Sequence, residues 1–247
     1  MMILRKKVIV VMPAYNASKT IAATYKAMPP GVVDETIVVD DKSSDNTVQV
    51  ARELGLTVIM HPRNLGYGGN QKTCYKEALK RGADVVVMIH PDYQYDSSLT
   101  EEIAKPISQG RFDIMFGSRI RTRKEALDGG MPYVKYILNR VVSLIENIVL
   151  GVNFTEHLSG FRAYSKEVLN TLPINHFSDD FLFDQELMIS AIAHGFRVAE
   201  YPVPVRYSPE SSSIKFLAGT KFLLETFVTL ALFILYKLKI YKSKIFA

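Results

Sequence analysis

Residues 83–96 read ADVVVMIHPDYQYD, and the apolar run 85–89 breaks there into His90, Asp92 and Gln94. A short continuous run rich in Val, entered after Gly82 and closed by Pro91, predicts a central parallel strand covered on both faces. In open α/β sheets ligands meet the carboxyl ends of the strands, so the site is expected where this run ends. If residues 90–94 stay extended, alternate side chains project to one side and His90, Asp92 and Gln94 converge. Imidazole, carboxylate and amide oxygen would then form an incomplete shell for a divalent metal, Mn²⁺ or Mg²⁺, that phosphate oxygens and water complete. The other reading of the segment is an ordinary strand-ending turn.

Working outward toward the N-terminus, the same theme precedes this strand in three βα units. KKVIVVMPAYNASKTIAATYKAM (6–28) is a buried strand stopped at Pro13 and a helix through residue 28 that Asn16 or Ser18 is placed to cap. TIVVDDKSSDNTVQVARELG (36–55) gives a strand at 36–39, the acids Asp40 and Asp41 at its end, and a helix closing at Gly55. The two acids suit a ribose, a base edge or a metal; they also suit capping the next helix, a role Asp45 and Asn46 can fill. A third strand leads through Gly66, Gly68 and Gly69 into a long helix. Glycines there let backbone N–H groups approach a phosphate at a helix start, although the spacing is not the dinucleotide fingerprint.

Past the decisive strand, Ser97 is placed to cap a helix to about residue 109, and a strand at 113–117 ends in Ser118 and Arg119. A helix over 132–150 carries Tyr133, Ile137, Val141, Leu144 and Ile148 at helical spacing. A strand near 161–164 follows, then a helix with Asp180, Asp184 and Glu186 near its start, where the helix dipole favours acids in any case. Residues 197–216 read as a strand, a Pro-interrupted edge and a polar loop. The expected architecture is α/β, a Rossmann-like, mostly parallel sheet flanked by helices over residues 1–211, with an apolar helix and basic tail over 212–247. In that tail the window 216–236 holds only Lys221 and Glu225 as charges, four apart and so on one face. The uncharged run before Lys237 is too short to span a bilayer unaided. An interfacial helix, or one packed on a partner in a homo-oligomer, fits better, and Lys237, Lys239, Lys242 and Lys244 would draw it toward anionic headgroups.

Composition narrows the class. With 48% apolar and 22% charged residues the chain is an ordinary folded protein rather than a disordered one. The net charge of +5 implies anionic partners, but the basic residues are dispersed and nucleic acid is not expected. The single cysteine, Cys74, excludes an internal disulfide and a cysteine-rich zinc site, and reads as a small buried hydrophobe. The apolar run 8–12 is too short for a signal sequence, so a cytoplasmic protein is expected.

PAYN (13–16), VVDDKSSDNT (38–47), NLGYGGN (64–70), the strand into HPDYQY and SGFRAYS (159–165) together resemble family 2 glycosyltransferases, more narrowly the dolichyl-phosphate mannose and glucose synthase group. The resemblance covers residues 7–207. It implies a GT-A fold, a GDP- or UDP-linked sugar donor, a divalent cation, and inverting transfer to a polyprenyl phosphate at the cytosolic face of the membrane. By the family pattern Pro13, Ala14, Tyr15 and Asp41 hold nucleobase and ribose, and Asn16, Asp40, Gly66, Gly68 and Asn70 join the candidate nucleotide site. Asp92 and Gln94 hold the metal, while Arg119, Arg140 and Arg206, with Ser213 nearby, contact the acceptor phosphate. Two departures stand out. His90 replaces the first Asp of the usual Asp-x-Asp, and Ala17 and Ser18 stand where a glutamate usually follows PAYN. An acceptor hydroxyl would need a general base, for which Asp179, Asp180 and Asp184 are the candidates; a phosphate acceptor would not.

Overall fold

The computed structural model describes residues 6–204 and 216–246. Among these, the strands β1 (Val8–Ala14), β2 (Glu35–Asp40), β3 (Thr57–Met60), β4 (Val85–Met88), β5 (Ile114–Ser118), β6 (Arg162–Ser165) and β7 (Val198–Pro202) form one seven-stranded sheet in the order β3-β2-β1-β4-β6-β5-β7. The pairs β3–β2, β2–β1, β1–β4 and β5–β7 are parallel, and β6 lies antiparallel between β4 and β5. The order reverses on either side of β1, which places a switch-point crevice between the ends of β1 and β4.

Every residue of β1 and β4 is buried because both faces of the sheet are covered. Ile9, Val11, Val86 and Met88 enter one core. On this side pack α3 (Tyr67–Lys80), α8 (Phe183–Ala193) and α9 (Phe216–Lys237). Val8, Val10, Val85 and Val87 enter the other core, with α1 (Ile21–Lys26), α2 (Thr47–Glu53) and α4 (Thr100–Ser108). The remaining helices are α5 (Arg123–Asp128), α6 (Tyr133–Leu150) and α7 (Lys166–Thr171). Leu230 and Phe233 of α9 are buried in the first core, so the tail helix packs on the body of the protein. The boundary expected at 211/212 lies outside the described residues, as do Arg206 and Ser213.

Local capping differs from expectation in two places. No side chain caps α1 at Thr20; Asn16, at φ +53°, instead accepts bonds from Ser44 N and Oγ, joining the loop after β1 to the loop after β2. Asp96, not Ser97, caps the turn before α4, accepting from Ser98 N. Asp45 does hold the start of α2, through Thr47 N and Oγ1, and its other oxygen accepts from Ser18 N.

Candidate active site

The crevice between β1 and β4 is framed by loops that hold each other. Val11 pairs with Met88, so Pro13, Ala14 and Tyr15 lie beside residues 90–92, and Thr20 Oγ1 donates to Pro91 O at 2.5 Å. Pro13 and Ala14 are buried strand residues, whereas Tyr15 is 58% exposed at the rim. Residues 90–94 do not stay extended. The chain turns, with Tyr93 at φ +56°, a left-handed conformation uncommon for such a residue. The alternation expected to converge three metal ligands is therefore lost. Asp92 Oδ1 accepts from Gln94 N at 3.0 Å, and the buried Gln94 Nε2 has no partner.

His90 is turned toward α3. Its ring stacks on Tyr67, and Nε2 lies 2.9 Å from Tyr67 Oη. The tyrosine's only hydroxyl hydrogen goes to Asp184 Oδ2 at 2.7 Å, so His90 Nε2–H donates to Tyr67 Oη. Burial, reinforced by the Asp184 charge, pushes the Tyr67 hydroxyl well above its ordinary range. Gly160 is required here: a Cβ would meet the His90 ring at 2.9 Å. Among the described residues no three His, Cys, Asp or Glu side chains form a metal-holding group.

At the end of β2 the two acids differ. Asp41 is fully engaged: Oδ1 accepts from His61 Nδ1 and Leu65 N, both at 2.8 Å, and Oδ2 from Gly66 N at 3.0 Å. His61 Nε2 in turn meets Thr73 Oγ1 of α3 at 2.9 Å. Asp41 thus ties the glycine loop to the sheet edge. Asp40, 1% exposed, accepts from Ser43 N through Oδ2 and keeps Oδ1 without a partner.

The glycines serve packing more than open N–H groups. Gly68 N and Gly69 N both donate to Asp179 O, and a Cβ on Gly68 would lie 2.4 Å from Ser178 O. Gly66, at φ +86°, would meet Asp179 O at 2.6 Å. These glycines let the strand of chain before α8 lie against α3, which leaves the phosphate approach expected of them without its donors. Asn70 is likewise internal, donating to Val39 O at 3.0 Å.

The arginines and acids of the second half are largely occupied. Arg119 N and Nε donate to Glu156 at 2.8 Å each, and its Nη2 joins Glu156 and Leu158 O. Glu156 is completely buried; burial alone would raise its pKa, but Arg119 and Asn139 hold the carboxyl below its usual range. Beside this pair, burial and the Arg119 charge push Lys135 down to about 8. Arg140 Nη1 donates to Thr155 O. Asp179 pairs with Lys72 at 2.7 Å. Asp180 pairs with Lys221 at 3.0 Å; burial would raise its pKa, but Lys221 and Phe181 N–H hold it below the ordinary range. Asp184 also accepts from Gln71 Nε2 at 3.2 Å.

Three residues carry site geometry that the spacing of the motifs does not announce. His61 and Tyr67 bridge loops distant in sequence. Arg162, 0% exposed, donates to Ser159 O, His157 O and Asp184 O at 2.7–2.9 Å and so clamps the 157–159 loop onto α8. A lone arginine in an apolar strand was the available signal for the last. A cavity of about 320 Å³ lies elsewhere, between α8 and α9, and contains none of the crevice residues.

Comparison with known proteins matches this arrangement to a family. The glycosyl transferase family 2 profile covers residues 9–172. An uncharacterized protein of Methanocaldococcus jannaschii is 31% identical over 85% of this chain and 85% of its own length. The UDP-N-acetylglucosamine–dolichyl-phosphate N-acetylglucosaminyltransferase of Methanococcus voltae is 29% identical over 83% of this chain and 88% of its own. Among solved structures, glucosyl-3-phosphoglycerate synthase from Mycobacterium tuberculosis in complex with Mn²⁺, UDP and glucosyl-3-phosphoglycerate superposes with a TM-score of 0.70 at 20% identity, over 96% of this chain and 82% of that one. The sheet with its single reversed strand is the GT-A fold, the enzyme is a glycosyltransferase, and the chain belongs to glycosyl transferase family 2.

Proposed function

We propose that the protein transfers a sugar from a nucleoside diphosphate to a polyprenyl, dolichyl-type phosphate. The observation that carries the donor half is the pair of buried, unpartnered polar atoms flanking the crevice, Asp40 Oδ1 and Gln94 Nε2. Buried polar atoms are rarely left unpaired, so an acceptor at β2 and a donor after β4 support a ligand with a hydroxyl or base N–H at one end and anionic oxygens at the other. In this reading Asp40 meets the nucleoside, Asp41 positions the loop around it, and Gln94 donates to a diphosphate oxygen.

The residues present fit a divalent cation through one carboxylate. His90 is held by Tyr67, so Asp92 is the protein ligand, and a hard cation bound by one carboxylate takes its remaining ligands from phosphate oxygens and water. When bound, the cation neutralises charge gathering on the departing diphosphate. Relatives support this assignment, since the mycobacterial enzyme of the same fold is crystallised with Mn²⁺ and UDP.

For the acceptor, the engagement of Asp179, Asp180 and Asp184 is the main support. Each of the three is already engaged by Lys72, Lys221 or the Tyr67 hydroxyl, and a phosphate, already anionic at neutral pH, needs only positioning. Arg119 and Lys135 lie together beyond β5 beside Glu156, and this grouping of two cations supports an anionic acceptor there. The phosphate oxygen attacks the anomeric carbon opposite the diphosphate; the new carbon–oxygen bond forms as the old one leaves with its electrons, inverting the centre. The dolichyl-phosphate acceptor named for the M. voltae relative supports the same class. A lipid acceptor places the protein at the cytosolic membrane surface, with α9 and its lysines as the first contact. The test is a screen of UDP- and GDP-sugars with a short-chain polyprenyl phosphate and Mn²⁺ or Mg²⁺. Transfer to the lipid phosphate is expected; transfer to sugar hydroxyls with none to any polyprenyl phosphate would overturn the reading.

A further inference from the structure

Helix α6 is inside out. Its exposed residues are Tyr133, Val134, Ile137, Leu138, Val141, Leu144 and Ile148, between 40% and 73% exposed, and none of the exposed positions is charged. Its buried residues include Asn139, Ser143 and Glu146. At roughly 100° per residue the exposed set and the buried set centre on opposite sides of the helix, so the apolar stripe faces away from the protein. The neighbouring helix α9, in contact with α6, buries Leu230 and Phe233 beside Thr226 and Thr229, yet leaves Leu217, Leu224, Phe227, Val228 and Ile234 exposed. Isolated exposed apolar residues are ordinary, but an inverted helix touching a second helix that also exposes five large apolar side chains is not.

We propose that α6 and α9 together form one surface that lies on an anionic lipid bilayer, with the outward stripe of α6 entering the boundary between headgroups and acyl chains. The stripe from residue 133 to 148 is roughly 23 Å long, matching a helix that lies in the interface rather than crossing it. Charge selects the occupant. Lys237 at the end of α9 and Lys239, Lys242 and Lys244 in the segment after it are all exposed, with no acid among residues 236–247. Anionic headgroups pair with those lysines, whereas a second copy of a chain of net charge +5 would bring a second set against them. This inference rests on the proposed reading only in its choice of a membrane; it needs neither the donor nor the acceptor to be identified.

The test uses the full chain and flotation with phosphatidylcholine vesicles containing phosphatidylglycerol. The combined variant Ile137→Ser, Leu144→Ser and Ile148→Ser should weaken partition by at least about tenfold, because three large apolar side chains no longer enter lipid. A second measurement does not depend on that variant. Cys74 is fully buried, so a polarity-sensitive fluorophore attached to Leu144→Cys reports that site alone. Its emission should shift to the blue when vesicles are added. The same label at Lys26→Cys, on α1 of the other sheet face, should not respond. Unaltered partition of the serine variant, or no spectral shift at residue 144, overturns the proposal. So does a serine variant that falls from dimer to monomer in solution while binding vesicles as the parent does, since the face would then belong to a second copy. Vesicle binding through residue 144 without turnover of any polyprenyl phosphate would refute the proposed reaction and leave this surface standing.

Discussion

Replacing Glu146 by glutamine should erase a loss of stability that the parent suffers between pH 6.5 and 8. Glu146 is 0% exposed, neither carboxylate oxygen has a hydrogen-bond partner, and His157 Nδ1 is 3.9 Å from its Oε2. That distance invites the label of ion pair, yet both groups are neutral at pH 7. Burial pushes Glu146 up to about 8, against a partial offset from Arg162, and burial with the Arg162 charge pushes His157 down to about 4. With no donor on its oxygens and a contact too long for a hydrogen bond, the buried carboxyl is better off protonated.

The signs follow from which state holds the proton. From pH 4.5 to about 8 native Glu146 keeps a proton that the unfolded chain has released, so stability falls as pH rises. From pH 6.5 down to about 4 unfolded His157 binds a proton that the native residue refuses, so stability falls as pH drops. At about 1.4 kcal/mol per pH unit each, the two slopes cancel between 4.5 and 6.5 and leave the glutamate alone from 6.5 to 8, a loss of about 2 kcal/mol. Urea unfolding followed by circular dichroism at pH 6.5 and 8 measures it. In Glu146→Gln the decline should vanish, and a gain of about 3 kcal/mol between pH 4 and 6.5 from His157 should emerge. A variant whose stability falls between pH 6.5 and 8 as much as the parent's would refute the assignment of a neutral, buried Glu146.

Three other outcomes bear on the site. Asp92→Ala should lower turnover roughly a hundredfold or more while the fold melts as before, through lost stabilisation of the leaving group; unaltered steady-state turnover would remove Asp92 from the metal role. The two acids after β2 should separate: Asp40→Asn should raise the KM for the donor with little change in kcat, whereas Asp41→Asn, which turns an acceptor into a donor facing Leu65 N or Gly66 N, should cost about 1–3 kcal/mol in denaturant melts. Equal effects of both variants on KM and on stability would deny the division of labour. Gly68→Ala should cost about 1–3 kcal/mol, because the Cβ would sit 2.4 Å from Ser178 O and the backbone has to move; a melt matching the parent's would show that the loop before α8 yields freely.

The strands and their common edge were legible because continuous apolar runs ending in polar residues leave few options. Val85–Met88 and Val8–Ala14 are buried as read, and the acids, the glycine loop and residues 90–94 do gather at one sheet edge. Chain direction and long-range pairing were not. Nothing local in Arg162–Ser165 announces a reversed strand between β4 and β5, since an antiparallel partner asks of four residues only what a parallel one does. The arginines invited a phosphate reading, but Arg119 meets Glu156, 37 residues away, and such a pair is settled by tertiary structure alone. Asp41 is a similar case: its partners His61, Leu65 and Gly66 are 20–25 residues downstream.

Helix α6 shows the limit most clearly, because periodicity fixes a phase between residues and says nothing of which side is in. The stripe Tyr133, Ile137, Val141, Leu144, Ile148 reads as a core face by habit, yet the core side carries Asn139, Ser143 and Glu146. Each buried polar residue needs a reason on that side, and two have one: Asn139 donates to Glu156, which anchors Arg119, and Ser143 Oγ donates to Asn139 Oδ1. The polar side of α6 therefore supports the cationic corner beyond β5 while its apolar side faces out. In the proposed reading, a single amphipathic helix turned this way supports the acceptor side of the site by its inner face and meets the lipid by its outer one.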